Sequence, residues 1–205
     1  MELNEKQIEI LLVAEDFFSE KGFSGSSVRD IASAAGVNVA MINYYFGSKD
    51  NLLQTLIEWR AHKFLLNSAD IFIEDDPWNR MERVIAILLN AMSEHRSIYK
   101  IVAIEGGVRH RILKSAIFDK LKKHNNKVID EVLQYGISLG KFNPDSSAVL
   151  IHAMIMGMFM NFQFNETDLK DSLNIQTEAG FTKYMQTELV NFLQKSIKLI
   201  LQYEN

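Results

Sequence analysis

The chain has 205 residues and a formal net charge of −4, from 22 Lys and Arg against 26 Asp and Glu. Hydrophobic residues make up 47% and charged residues 23%, which excludes a wholly disordered chain; the length fits one ordinary domain or a small module fused to a larger one. Cysteine is absent, which excludes disulfides, thiolate zinc sites and a Cys nucleophile, and the two prolines favour long helices over a loop-rich fold.

The first residues, Met1 to Lys6, are charged and mixed, so no targeting segment is read there. Helical periodicity follows almost everywhere and strand alternation does not. The first helix is expected from about Asn4 to Lys21, with Ile8, Leu11, Leu12 and Phe18 on one face and Gly22 ending it. Ser27-Val28-Arg29-Asp30 has the form of a capping box opening a helix over Val28–Ala35, which Gly36 breaks. Asn38 caps a third short helix, Val39–Phe46, closed by Gly47-Ser48. A longer fourth helix is expected from about Lys49 into the low seventies. Asp76 and Pro77 read as cap and first residue of a helix running to about Arg96. Further helices are expected over Ile98 to Gly106 or Gly107, Leu113–Leu139 (ended by Gly140), and Asn143-Pro144-Asp145 to Phe162. Residues Phe164 to Glu178 lack periodicity and read as a loop, and a last helix covers Phe181–Leu201. The fold class is all-α, with about nine helices. Ala148–Phe162 is the most apolar stretch, but it is interrupted by His152 and Asn161 and falls short of the roughly twenty residues of a membrane span. A soluble, cytoplasmic protein without a membrane partner is expected.

Residues 28–46 have the pattern of a helix-turn-helix: two short helices joined at Gly36, with small Ala32 allowing close packing and Ile31, Ala35, Val37 and Ile42 as contacts. In that arrangement the second helix enters the major groove, offering Val39, Ala40, Asn43 and Tyr44 to base edges.

Glu20-Lys21-Gly22-Phe23, Ser27 to Ala32, Ala35-Gly36-Val37 and Ile42 to Lys49 occur in an order and spacing that resembles the N-terminal domain of TetR-family transcriptional regulators. The resemblance covers roughly the first fifty residues. It implies an all-α homodimer with a three-helix DNA-binding domain, set here at 1–48. Residues 49–205 would form a helical domain that binds a small effector and dimerises through its last two helices. Carried over by position, Ser27 and Arg29 contact phosphate, Asn38, Val39, Ala40, Asn43 and Tyr44 face the groove, Tyr45 and Lys49 anchor the backbone, and Phe46 packs. Many members carry an aromatic where this chain has Asn43; asparagine can pair bidentately with adenine.

Charge runs against this reading at first sight. Residues 1–50 hold four basic groups and eight acidic ones, most of the acids on the first helix. Between Lys21 and Lys49 the balance reverses, with Asp30 the one acid against Lys21, Arg29 and Lys49. A modest salt dependence is expected.

The five histidines are scattered without metal-ligand spacing, and no catalytic triad, phosphate-binding glycine loop or cofactor motif is present. No enzyme activity, metal or cofactor is expected. His95 and His110, flanking the Ile98–Gly107 helix, are either ordinary packing residues or part of an effector pocket with Met154 and Met158. The Met-rich helix reads as core plus dimer interface, or as the lining of an adaptable apolar pocket, with Gly157 permitting close helix approach. The dimer is expected to use helices near 145–163 and 181–201, with Phe159, Phe162, Tyr184 and Phe192 at the interface. A small apolar effector among residues 80–165 would release a palindromic double-stranded operator by shifting the long fourth helix. The alternative is a helical carrier or interaction protein of the same fold without operator binding.

Overall fold

The computed structural model describes residues 3–62, 65–105 and 116–202, with no strand among them beyond an isolated bridge between Phe142 and Gln202. Two compact units form, Met1–Lys63 with His95–Asp119, and Phe64–Glu94 with Lys120–Asn205. The fourth helix and the one after His95 group with the N-terminal helices.

In the first unit, α1 (Glu5–Gly25) opens with a capping box: the Asn4 side chain accepts from the Gln7 amide and the Gln7 side chain accepts from the Asn4 amide. Its regular turns end at Gly22, as the sequence indicates, where φ is +70°. A glycine takes that conformation without a Cβ clash. The buried Ser26 hydroxyl lies 2.9 Å from the Phe17 carbonyl and 2.8 Å from that of Gly22, bracing the kink. Two short helices follow, α2 (Val28–Ala34) and α3 (Val39–Phe46), then α4 (Lys49–Ala61). The fourth helix thus stops at Ala61 instead of reaching the low seventies, and a separate turn of helix, α5 (Ser68–Ile71), begins at its own cap, Asn67. Buried Leu52, Leu53, Leu56 and Ile57 hold α4 in the unit. Arg60 adds a tie, donating from Nε and Nη2 to the buried Glu15 carboxylate at 2.8 and 2.7 Å. Burial pushes the Glu15 carboxyl above its usual range; Arg60 opposes that shift and Asp16 adds to it. The seventh helix, α7 (Arg96–Ala103), packs on α1 and α4.

In the second unit, α6 (Pro77–Glu94) starts where the sequence places it, Asp76 Oδ2 accepting from the Trp78 and Asn79 amides. The described part of α8 (Ala116–Ser138) ends in a Schellman motif. The Gly140 amide donates to the Ile137 carbonyl (2.9 Å) and the Lys141 amide to that of Gly136 (2.9 Å). Next, α9 (Ala148–Phe164) begins at Ser147, whose Oγ accepts from the Leu150 amide, and not at Asn143-Pro144-Asp145. Asn143 instead closes a turn of its own, Oδ1 accepting from the Asp145 amide at 2.9 Å. The stretch read as a loop contains α10 (Glu166–Ser172). None of its residues is buried, which explains its missing apolar period; Lys170 holds it by ion pairs to Glu166 and Glu178. The chain closes with α11 (Glu178–Tyr184), a π-helical stretch Met185–Leu189 and α12 (Val190–Leu201), where one helix was expected. The separate α5 and α10 and this broken last helix account for the excess over about nine.

Candidate nucleic-acid interface

The sequence between Ser26 and Asn51 builds a helix-turn-helix from strictly local signals. Ser27 Oγ accepts from the Asp30 amide at 3.1 Å, starting α2. Asp30 completes the cap differently from the expected box: its Oδ2 takes the Ser27 hydroxyl at 2.6 Å. After α2, Gly36 sits at φ +64°, and the Gly36 and Val37 amides donate to the Ser33 and Ala32 carbonyls at 3.2 and 2.9 Å. This is a second Schellman closure, and a side chain with a Cβ at position 36 would be strained there. Asn38 then caps α3, Oδ1 accepting from the Met41 amide at 2.8 Å, and Ser48 caps α4 through the Asn51 amide at 3.1 Å.

Burial sorts the faces of α3. Ile42 and Phe46 are buried against the unit's core, and Met41 and Tyr45 are half-buried flanks. At about 100° per residue, Asn43, Ala40 and Tyr44 span an adjoining arc of about 100°, and Val39 lies between that arc and the buried face. Ala40, Asn43 and Tyr44 are exposed, Tyr44 by 85%, and Val39 is half-buried. The Tyr44 ring meets Tyr45 edge-on at 5.4 Å.

The phosphate-facing candidates separate in the same way. Arg29 is exposed and has no ion pair among the described residues. The Ser27 hydroxyl hydrogen already goes to Asp30. Lys49, half-buried at the start of α4, holds its Nζ 4.2 Å from the centre of the Phe23 ring. Asn38 is exposed, but its carbonyl oxygen is spent on the cap. The acids Glu5, Glu9, Asp16 and Glu20 lie exposed on α1, not on α3.

Two family descriptions match the chain. "Bacterial regulatory proteins, tetR family" matches residues 10–56, and "Tetracyclin repressor-like, C-terminal domain" matches residues 77–180. The chain belongs to the TetR family. It is 27% identical over 161 residues to the HTH-type transcriptional repressor KstR2 of Mycobacterium tuberculosis, covering 75% of this chain and 78% of that one. It is 26% identical over 170 residues to the HTH-type transcriptional repressor NicS of Pseudomonas putida, covering 81% and 79%. The solved structure described as the ketosteroid transcriptional regulator KstR2 of Mycobacterium tuberculosis shares the fold, with a TM-score of 0.66 at 21% identity over 99% of this chain and 98% of that one.

The remaining candidate residues among those described stand at the start of α7 and on α9, α11 and α12. His95 is half-buried at the start of α7 in the first unit, whereas Met154 and Met158 are half-buried on α9 in the second. His110 lies outside the described residues. Of the four aromatic residues assigned to a dimer interface, Phe159 has 0% exposure and is enclosed by its own chain. Phe162 is also buried, stacked on Phe181 at 5.9 Å and on half-buried Tyr184 at 6.1 Å. These three tie α9 to α11 within one chain. Phe192, on α12, is 56% exposed. The exposed apolar residues that sequence reading missed are Val149, Leu150 and Phe164 on α9 and Leu199 and Ile200 on α12. On α9 the spacing carried no signal because that helix is apolar on every side. Gly157 is exposed on α9 with open space beside it.

Three consecutive residues of α8 make polar ties that the sequence did not suggest. His124 Nε2 lies 2.8 Å from the Leu66 carbonyl, and Asn125 Oδ1 accepts from the Leu66 amide at 3.0 Å. The chain is thereby clamped at Leu66, just after α4. Asn126 Oδ1 lies 2.6 Å from Nδ1 of the buried His152 on α9. A carbonyl oxygen only accepts, so Nδ1 carries the hydrogen and the neutral ring keeps Nε2 as an acceptor. Burial first, and the Lys122 charge second, hold His152 below the usual histidine range. Among the described residues no group of His, Asp or Glu is arranged to hold a metal, and no single helix is long and apolar enough to cross a membrane.

Proposed function

We propose that this chain is a repressor that binds a palindromic operator as a homodimer and leaves it when a small apolar effector binds. The observation that carries this reading is the solvated arc of Ala40, Asn43 and Tyr44 on a capped α2–α3 pair, with exposed Arg29 on α2. Two copies would present two such arcs to half-sites about one helical turn apart. Operator binding places the action in the cytoplasm.

The exposed apolar residues of α9 and α12 support pairing of two copies through these helices, with Gly157 allowing backbones to approach. Half-buried Met154 and Met158 supply adaptable apolar surface for an effector, and a relative described as a ketosteroid regulator favours an apolar one. The effector acts only if it prefers the conformation less suited to the operator. Because α4 ends at Ala61, displacement reaches it through the segment clamped at Leu66 rather than through one continuous helix.

The test is fluorescence anisotropy of the purified protein on the DNA upstream of its own gene, with competitor DNA. Selective binding that disappears in an Asn43→Ala, Tyr44→Ala variant of unchanged oligomeric state supports the regulator. Selective binding unaffected by those substitutions removes α3 as the reading element. No selective binding to any promoter fragment favours the carrier reading.

A further inference from the structure

We propose that α3 reads A·T base pairs, Asn43 pairing with adenine and Ala40 packing on a neighbouring thymine methyl, and that it makes no bidentate contact to guanine. This rests on the DNA-binding reading above and deepens it.

The major-groove edge of guanine offers two acceptors, N7 and O6, and is read best by the paired donors of arginine or by lysine. No arginine or lysine occurs in α3, Val39–Phe46. The nearby cations stand on other helices, Arg29 on α2 and Lys49 at the start of α4 over the Phe23 ring. What the exposed arc does carry is one free primary amide. Asn43 is exposed, and its side chain makes no hydrogen bond among the described residues. An amide has one acceptor and a pair of donor hydrogens on the other arm. This matches adenine, which offers the N6 donor beside the N7 acceptor, and leaves an oxygen facing an oxygen on guanine. Asn38, the other asparagine at this end, has its oxygen engaged by the Met41 amide. The cap therefore singles out Asn43 as the adenine reader.

Ala40 precedes Asn43 by three residues on the same arc, and it is exposed. Residues three apart on a helix are surface neighbours, about 5–6 Å between Cβ atoms, a spacing that lets the two side chains meet neighbouring base pairs. A methyl group with no polar atom discriminates only by apolar contact, and the thymine C5-methyl is the apolar feature of the groove. The exposed Tyr44 phenol flanks this pair and can donate or accept.

The experiment selects tight binders from a random-sequence duplex library with the full-length protein at fixed salt, then modifies the enriched half-site. The expected motif holds an A·T step in each half-site. Replacing its thymine by deoxyuridine, which removes only the methyl, weakens wild-type binding about four-fold, the value of one buried methyl. The Ala40→Gly variant loses that dT-against-dU difference whatever its own affinity. Exchanging the adenine pair for G·C weakens wild type by roughly 5- to 150-fold, and Asn43→Ala abolishes that discrimination. An enriched motif in which G·C pairs carry the contacts, or equal sensitivity to either exchange in wild type and variants, overturns the inference while leaving operator binding intact. Enrichment of no duplex overturns both.

Discussion

Replacing Gly136 by alanine sets two effects of opposite sign against each other. Gly136 lies in the last turns of α8, where glycine costs about 1 kcal/mol of helix stability relative to alanine. On propensity alone the substitution stabilises. A Cβ at this position, however, would stand 2.1 Å from Cδ2 and 2.5 Å from Cε2 and Cγ of Phe142. Ordinary carbon contacts are about 3.5–4.0 Å, so the ring would have to retreat by roughly 1.4 Å. It has little room to do so. Phe142 is buried, and the Trp78 ring meets it edge-on at 4.5 Å. The Phe142 amide also donates to the Gly136 carbonyl at 3.2 Å, holding the returning chain against the helix. Overpacking of this kind costs about 1–3 kcal/mol, and the size of the overlap puts Gly136 at the upper end. The net expectation is a loss of about 2 kcal/mol. Removing the ring reverses the sign. In a Phe142→Ala background, itself about 3–5 kcal/mol less stable, Gly136→Ala should gain up to about 1 kcal/mol. The coupling between the positions is then about 3 kcal/mol, the top of the range for residues in contact. Equilibrium urea denaturation measures it, with all four proteins at one concentration because assembly contributes to apparent stability. A neutral or stabilising Gly136→Ala in the natural background, or the same loss in both backgrounds, refutes the reasoning.

Arg60→Ala should cost about 3–5 kcal/mol near neutral pH, because it leaves the buried Glu15 carboxylate without its counter-charge. The folded Glu15 carboxyl already titrates above its ordinary value of 4.5, so its ionised form is penalised in the fold, and the penalty is relieved as pH falls through the raised value toward 4.5. Removing Arg60 lifts the folded Glu15 value further, so the variant's loss in denaturation curves should shrink as pH falls toward the wild-type folded value, and a loss independent of pH contradicts the pairing. His152 has the opposite dependence: its folded value is held below 6.5, so its contribution is fully present above 6.5 and is lost as pH falls through the depressed value. His152→Gln should flatten that part of the stability–pH profile, and an unchanged profile removes His152 as the cause. Phe192→Asp should lower the sedimentation mass of the protein while its helical circular dichroism persists, whereas Phe159→Ala should lower chain stability by about 3–5 kcal/mol; the reverse pattern would place the interface on the wrong residue. If Arg29 and Lys49 of two copies make the phosphate contacts, about four in all, the slope of log affinity against log salt should be near −4, and a slope near −10 contradicts so sparse a contact set.

The reading head was largely legible because each of its determinants acts within a few residues. Ser27, Asn38 and Ser48 cap the helices that immediately follow them, and Gly36 closes a turn with amides one and two positions away. Such geometry depends on local backbone and hardly at all on the rest of the chain. The structure adds that the Asn38 cap engages its amide oxygen while the Asn43 amide stays in solvent.

The second unit was legible only as helices. On α9 nearly every residue is apolar, so periodicity is silent about which side the chain buries itself. Packing decided it: Phe159 went into the core and Phe162 onto Phe181, while Val149, Leu150 and Phe164 stayed outside. On α10 the failure was the converse, a helix without a buried face held by charge pairs that leave no apolar pattern. The grouping of α7 with α1 and α4, and the clamping of Leu66 by His124 and Asn125, join residues tens of positions apart. The sequence by itself therefore determined the helices, their caps and the outward arc of α3, since these depend on near neighbours. Which helices share a unit, which apolar face stays exposed and how the chain is tied after α4 belong to tertiary packing, because long-range burial and hydrogen bonding carry no signature in local order.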